Sequence, residues 1–229
     1  MTVLAVHCTM GTWHVVQKHS HDLQRYAPRL IKQNLDLFTW QSSVWQQLPI
    51  ARLDMEGELE QPLTIQWAGQ PEEIRQLLIK QGWQEPPPLG LKNMLTLLAP
   101  EAAIADLPVL PQLHEGREEG LLMVKDTANT RLVLRLWEEN ILITPQQTPL
   151  FVGCVEEQHR KKLGWLLSFP HAKSNYEQVR QRLAQELRGA APMLLIQDMQ
   201  RDLINPPKLR HNNDWQGQVL LLAQGEAQP

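Results

Sequence analysis

The chain has 229 residues, of which 42% are hydrophobic and 21% charged, and a formal charge of -3 from 22 basic and 25 acidic side chains. This is ordinary globular usage with enough apolar surface for one main core, so global disorder is excluded; no net positive field exists to gather a phosphate backbone, which argues against nucleic acid as a partner. No stretch reaches the roughly 20 apolar residues of a spanning helix, and the order of charged start, apolar run and small-residue cleavage site that marks a signal peptide is missing.

In chain order, residues 1–48 read as a helical, membrane-proximal arm, broken by Pro28 and carrying Trp40 and Trp45 among Gln and Ser. The segment Thr2 to Val16 lacks Asp, Glu, Lys and Arg but is interrupted by His7, Thr9, Thr12 and His14, so it is able to lie against a membrane rather than cross one. The main domain spans 49–229. It opens with Ala51, Leu53 and Met55 alternating with Arg52, Asp54 and Glu56, the period of a half-buried strand, followed by a turn at Gly57 and a second strand, Leu63 to Ala68. Pro71-Glu72-Glu73 starts a helix, Ile74, Leu77 and Leu78 give its buried stripe, Gly82 ends it and Trp83 folds back onto it. A short helix over Leu91 to Leu98 stops before Pro100.

From Leu107 strands dominate: Leu107 to Leu113, Gly120 to Lys125, Arg131 to Ile143, Leu150 to Glu157 and Leu163 to Phe169. Asp126 to Asn129 is the turn of a hairpin, and the basic run His159-Arg160-Lys161-Lys162 is expected at a solvated turn. In the long strand Leu132, Leu134 and Leu136 face one way, while Arg131, Val133, Arg135 and Trp137 form an amphipathic second face. Ser174-Asn175-Tyr176-Glu177 has the form of a capping box before a helix with Val179, Leu183 and Leu187. Met193 to Ile196 and Val219 to Leu222 read as final strands. The pattern predicts an α+β fold: mainly antiparallel sheet of about seven to nine strands, packed with two main helices, plus the helical N-terminal arm.

Chemical motifs are sparse. No Gly-x-Ser-x-Gly elbow, His-Glu-x-x-His, Cys-x-x-Cys or phosphate loop occurs, and nothing in the sequence calls for a cofactor. Cys154 lies in an apolar run and reads as a small buried hydrophobe rather than a nucleophile at a helix start. His19 and His21 are weak metal candidates, with His7, His14 and Asp22 nearby, and a solvated arm is the preferred reading, so no metal site is assigned. Asp54, Glu56, Glu58 and Glu60 read as the wet face of a strand rather than a catalytic pair. Arg135 beside Trp137 is able to hold a phosphate or carboxylate while the indole packs a ligand; the plainer reading is an arginine stacked on tryptophan or paired with glutamate.

Several pieces together carry a resemblance: Trp45 with Leu48-Pro49 and Arg52; Leu63 to Gly69; Gly82-Trp83; Leu107-Pro108-Val109; Leu134-Arg135-Leu136-Trp137; and Pro149 to Gly153. From about Trp45 to Leu187 the chain resembles the LssY C-terminal domain family, whose activity is unknown. Its members often follow lipid-phosphatase-type or DedA-type membrane regions, so the resemblance implies a bacterial, membrane-associated domain at the cytoplasmic face of the inner membrane. It also implies a membrane protein or the membrane surface as partner. Some relatives carry paired histidines and acids where this chain has Phe169 to Lys173 and Asn175, and only His171 is retained from that pattern.

The resulting expectation is a non-catalytic accessory or interaction domain rather than an enzyme. The alternative is a small-molecule binding or hydrolytic domain for a phosphorylated or lipid-derived compound, with Arg135, Trp137 and His171 lining the site. A deep pocket holding Arg135 and His171 favours the alternative, and a filled, flat face favours the first.

Overall fold

The computed structural model describes residues 32–99, 101–127, 129–163, 167–203, 208–210 and 213–224. The strands are β1 (Gln33–Asp36), β2 (Ala51–Leu53), β3 (Leu59–Pro62), β4 (Ile65–Ala68), β5 (Leu121–Asp126), β6 (Thr130–Thr144), β7 (Thr148–Leu163), β8 (Leu167–Ala172), β9 (Leu194–Gln200) and β10 (Gln218–Gln224). The helices are α1 (Leu37–Ser42), α2 (Pro71–Lys80), α3 (Leu91–Leu95) and α4 (Tyr176–Ala190). The expected α+β class, the predominance of antiparallel pairs and the two main helices, α2 and α4, are all found.

The antiparallel hairpin of β6 and β7 is the spine. Along one edge, β6 pairs antiparallel with β5 and, further on, parallel with β1. Along the other, β7 pairs with β4 and then with β8. Beyond β4 lie β10, parallel to it, and then β9. The two parallel pairs make this eight-stranded sheet mixed, while β2 and β3 form a separate ribbon.

Both faces of the sheet are covered, which is why β10 is apolar at successive positions, Val219 to Ala223, rather than at alternate ones. Ile65, Trp67, Leu134, Leu136, Phe151, Leu220 and Leu222 meet Ile74 and Leu78 of α2 and Val179, Leu183 and Leu187 of α4 in one core. On the reverse face Trp137, Val152, Cys154, Val219 and Leu221 meet Trp40, Trp45, Leu48 and Leu63 in a second. Gln66 ties β4 to this second layer, accepting from the Trp40 indole at 2.9 Å and donating to the Trp45 carbonyl at 2.8 Å. Residues 32–48 of the expected arm are thus built into sheet and core, whereas Thr2 to Val16, His19, His21 and Cys8 lie outside the described residues.

Local punctuation follows the chemistry of the chain. At the end of α2, Gly82 at φ 81° lets its amide reach the Ile79 carbonyl at 2.9 Å and that of Trp83 reach Leu78 at 3.1 Å, the paired bonds of a Schellman cap. The short helix α3 continues as the 3-10 turn Thr96–Leu98.

Several expectations are corrected. Residues 107–113 form no strand, because Pro108 and Pro111 have no amide to donate to a ladder. The segment instead lies across the sheet and offers its carbonyls to side chains. The basic run 159–162 belongs to β7, which extends to Leu163 and pairs with β8. Asp54 and Glu56 fall in the turn after β2 and Glu58 just before β3; the Asp54 carboxylate accepts from the amides of Glu56 and Glu58, both at 2.9 Å. No capping box forms at α4, where the Glu177 amide donates to Asp214 at 3.0 Å and Ser174 makes no side-chain cap.

Candidate functional site

The reverse face of the spine changes character along its length. Trp137 and Val152 at one end are apolar, and the alternation then brings up Arg135 beside Cys154, Glu156 beside Val133, and Arg131 beside Gln158. All are buried, with Arg135 1%, Glu156 2%, Arg131 2% and Gln158 6% exposed. Charged groups this deep need partners, since an unpaired buried polar atom costs about 1–3 kcal/mol.

The proline-bearing segment supplies many of them. The Leu107 carbonyl accepts from Arg131 at 2.8 Å, the Gln112 carbonyl from the Trp137 indole at 3.3 Å and the Leu113 carbonyl from Arg52 at 2.8 Å. Glu119 takes Nη1 of Arg135 at 2.5 Å and the Gln112 amide at 2.7 Å. His114, wholly buried, accepts the Leu53 amide on Nδ1 at 3.1 Å and presents its ring edge-on to Trp137.

A cavity of about 400 Å³ opens at the charged end, between this face, the β2–β3 ribbon and the start of α4; Arg52, Glu60, Gln61, Glu156, His171 and Tyr176 are among its walls. Arg52 is 8% exposed and committed, through Nε to Gln61 at 2.8 Å, through Nη1 to the Leu113 carbonyl and, at 3.8 Å, to Glu60. Glu60 also pairs with Arg210 at 2.6 Å. Oε1 of Glu156 accepts from Gln158 at 2.7 Å and lies 3.6 Å from Nε of Arg135. Its Oε2 has no partner among the described residues, and neither has the hydroxyl of Tyr176, a side chain only 9% exposed at the first position of α4. Burial, with the neighbouring Glu156 carboxylate adding to it, holds the Tyr176 phenol protonated well above its ordinary range. Burial likewise pushes the Cys154 thiol up to about 12, so no thiolate is at hand for nucleophilic attack. Among the described residues no group of three or more His, Cys, Asp or Glu side chains is placed to hold a metal ion.

Of the residues singled out from sequence, His171 lines the mouth of the cavity, its ring 5.4 Å from that of His159. Arg135 lies one layer beneath, reaching the cavity only through its pairing with Glu156, and Trp137 is fully buried in the second core. The corrected residues are Arg52, expected on the wet side of a strand, and Glu60, expected on an acidic solvated face: both are cavity walls. Glu156 and Tyr176 carry no motif and escape the sequence reading. The signal that marks Glu156 is an acid continuing the alternation of Val152 and Cys154 on the face shared with Arg135.

Fold and site together define an α+β domain with a two-layered core and a pocket lined largely by polar side chains. The chain belongs to the LssY C-terminus family, whose model matches residues 45–213, a span that includes every wall of the cavity. Comparison with curated proteins and with solved structures gave no match.

Proposed function

We propose that this domain binds a small polar molecule in the cavity beneath β7 and does no covalent chemistry on it. The observation that carries the reading is that Glu156 and Tyr176, side chains at least nine-tenths buried, both line one 400 Å³ space, where no described residue hydrogen-bonds Glu156 Oε2 or the Tyr176 hydroxyl. A ligand seated in the space offers these groups hydrogen bonds in place of those to water. The test is thermal denaturation of the full chain with a panel of small polar compounds. A binder at a hundred times its Kd adds about 2.7 kcal/mol, with a matching rise in Tm. If no compound in the panel, at millimolar concentration, raises the Tm, the reading fails.

A second reading, contact with an anionic membrane surface, draws on a different region. Leu91, Leu95 and Leu98 are 67%, 61% and 55% exposed on α3 and the following turn. That turn packs against β8, next to the strand bearing Arg160, Lys161 and Lys162. Exposed leucines beside a basic strand suit adsorption to anionic headgroups, and no helix among the described residues is long and apolar enough to cross a bilayer. Flotation with vesicles containing phosphatidylglycerol, but not with purely zwitterionic ones, is expected, and Leu95→Glu should abolish it.

A further inference from the structure

The cavity has an excess of acceptors at its inner end, and that excess specifies the ligand. Arg135 serves two carboxylates unequally: its Nη1 is 2.5 Å from Glu119, whereas its Nε is 3.6 Å from Glu156 and makes no hydrogen bond. Arg52, the other buried cation, is turned toward Gln61, Leu113 and Glu60 rather than Glu156. Lys173, on the rim, holds Glu157 at 3.0 Å. Glu156, a wall of the cavity, therefore has Arg135 at 3.6 Å as its one ion-pair partner among the described residues, with no hydrogen bond from it. The hydroxyl of Tyr176, another wall of the same cavity, offers a lone pair as well as a proton.

We propose that the inner end of the cavity takes the ammonium group of a small amine, with Glu156 Oε2 accepting one N–H and the Tyr176 oxygen accepting another. The inference rests on the reading of this cavity as a ligand site. A charge-assisted bond in a desolvated site is about twice as strong as a neutral one, so an amine should be preferred over the same molecule bearing a hydroxyl. An anion meets the Glu156 carboxylate and is rejected. The space admits a ligand the size of a sugar, whose remaining hydroxyls reach the polar walls.

The experiment is titration calorimetry on the full chain with matched pairs: glucosamine against glucose, and ethanolamine against ethylene glycol, with acetate and inorganic phosphate as anionic probes. The amine of each pair should bind at least tenfold tighter than its hydroxyl counterpart. Glu156→Gln should remove that preference, while Glu72→Gln, on an exposed stretch of α2, leaves it intact. Should Glu156→Gln fail to fold, Tyr176→Phe carries the test and should weaken amine binding severalfold with little change in Tm. Equal binding of amine and hydroxyl compounds, or tighter binding of the anions, overturns the inference while leaving the cavity a ligand site. Binding of nothing in the set overturns both.

Discussion

Two residues show how closely the packing around the spine is tuned. His114 is buried with the Leu53 amide on Nδ1 and no partner on Nε2; burial, then the charges of Arg117 and Arg52, push its imidazole down from 6.5 to about 4. The unfolded chain takes up a proton below 6.5 that the folded one refuses until about 4, so the stability from a neutral His114 is complete above 6.5 and is lost as pH falls toward 4. Roughly 3 kcal/mol is at stake by order of magnitude. In His114→Gln, urea titrations across this window should show a flatter pH dependence than the parent, and an unchanged slope would count against the assignment. Gly153 is a different case. A Cβ there would land on the Arg135 carbonyl and the Leu136 side chain, so Gly153→Ala should cost about 2 kcal/mol or more, seen as a fall in the denaturation midpoint. The alternation of β6 made Arg135 and Trp137 legible as neighbours on one face; it carries no information about Glu119, which is 16 residues away in sequence and closes over Arg135.

At the level of elements, α4 is held by groups that its own sequence does not contain. Ser174 and Glu177 have the spacing of a capping box, yet the amide of Glu177 is satisfied by Asp214, from the loop before β10, whose own amide returns to the Ser174 carbonyl at 2.9 Å. Asp214→Ala should lower stability by about 1 kcal/mol and Ser174→Ala should leave it nearly unchanged, both read from urea midpoints. Because Tyr176 lies between Ser174 and Glu177, a frayed start to α4 also loosens the cavity wall. The segment 107–113 teaches the same lesson from the other side. Leu107, Val109 and Leu113 have the look of a strand, and Leu107 and Val109 are indeed buried, but the prolines divert the backbone so that its carbonyls meet Arg131, Trp137 and Arg52. Helix α2, with proline at its start and glycine past its end, was wholly legible because its signals are local.

For the whole molecule, the second core depends on residues that precede the most regular part of the sequence. Trp40 and Trp45 are at most 1% exposed, and β1 pairs with the far end of β6. The buried Arg201 secures the same segment, donating to the Trp45 and Gln46 carbonyls at 3.0 and 2.7 Å and lying over the Trp45 ring. A chain begun at Pro49 should therefore lose cooperative melting, because loss of each large buried indole alone costs about 3–5 kcal/mol; a sharp calorimetric transition from such a chain would overturn this. The cavity, too, was illegible as a unit, since Arg52, Glu156, Tyr176 and Asn213 come from four separate parts of the chain and only the closed fold makes them neighbours.

The placement of β10 between β4 and β9 has a bearing on biosynthesis. Its odd-numbered residues complete one hydrophobic layer and its even-numbered ones the other, so a nascent polypeptide has neither layer sealed until residues 218–224 clear the ribosome. Until then the partly made protein presents wide greasy surfaces and an unmatched β4 border, the condition in which holding chaperones are most useful and premature termination most damaging.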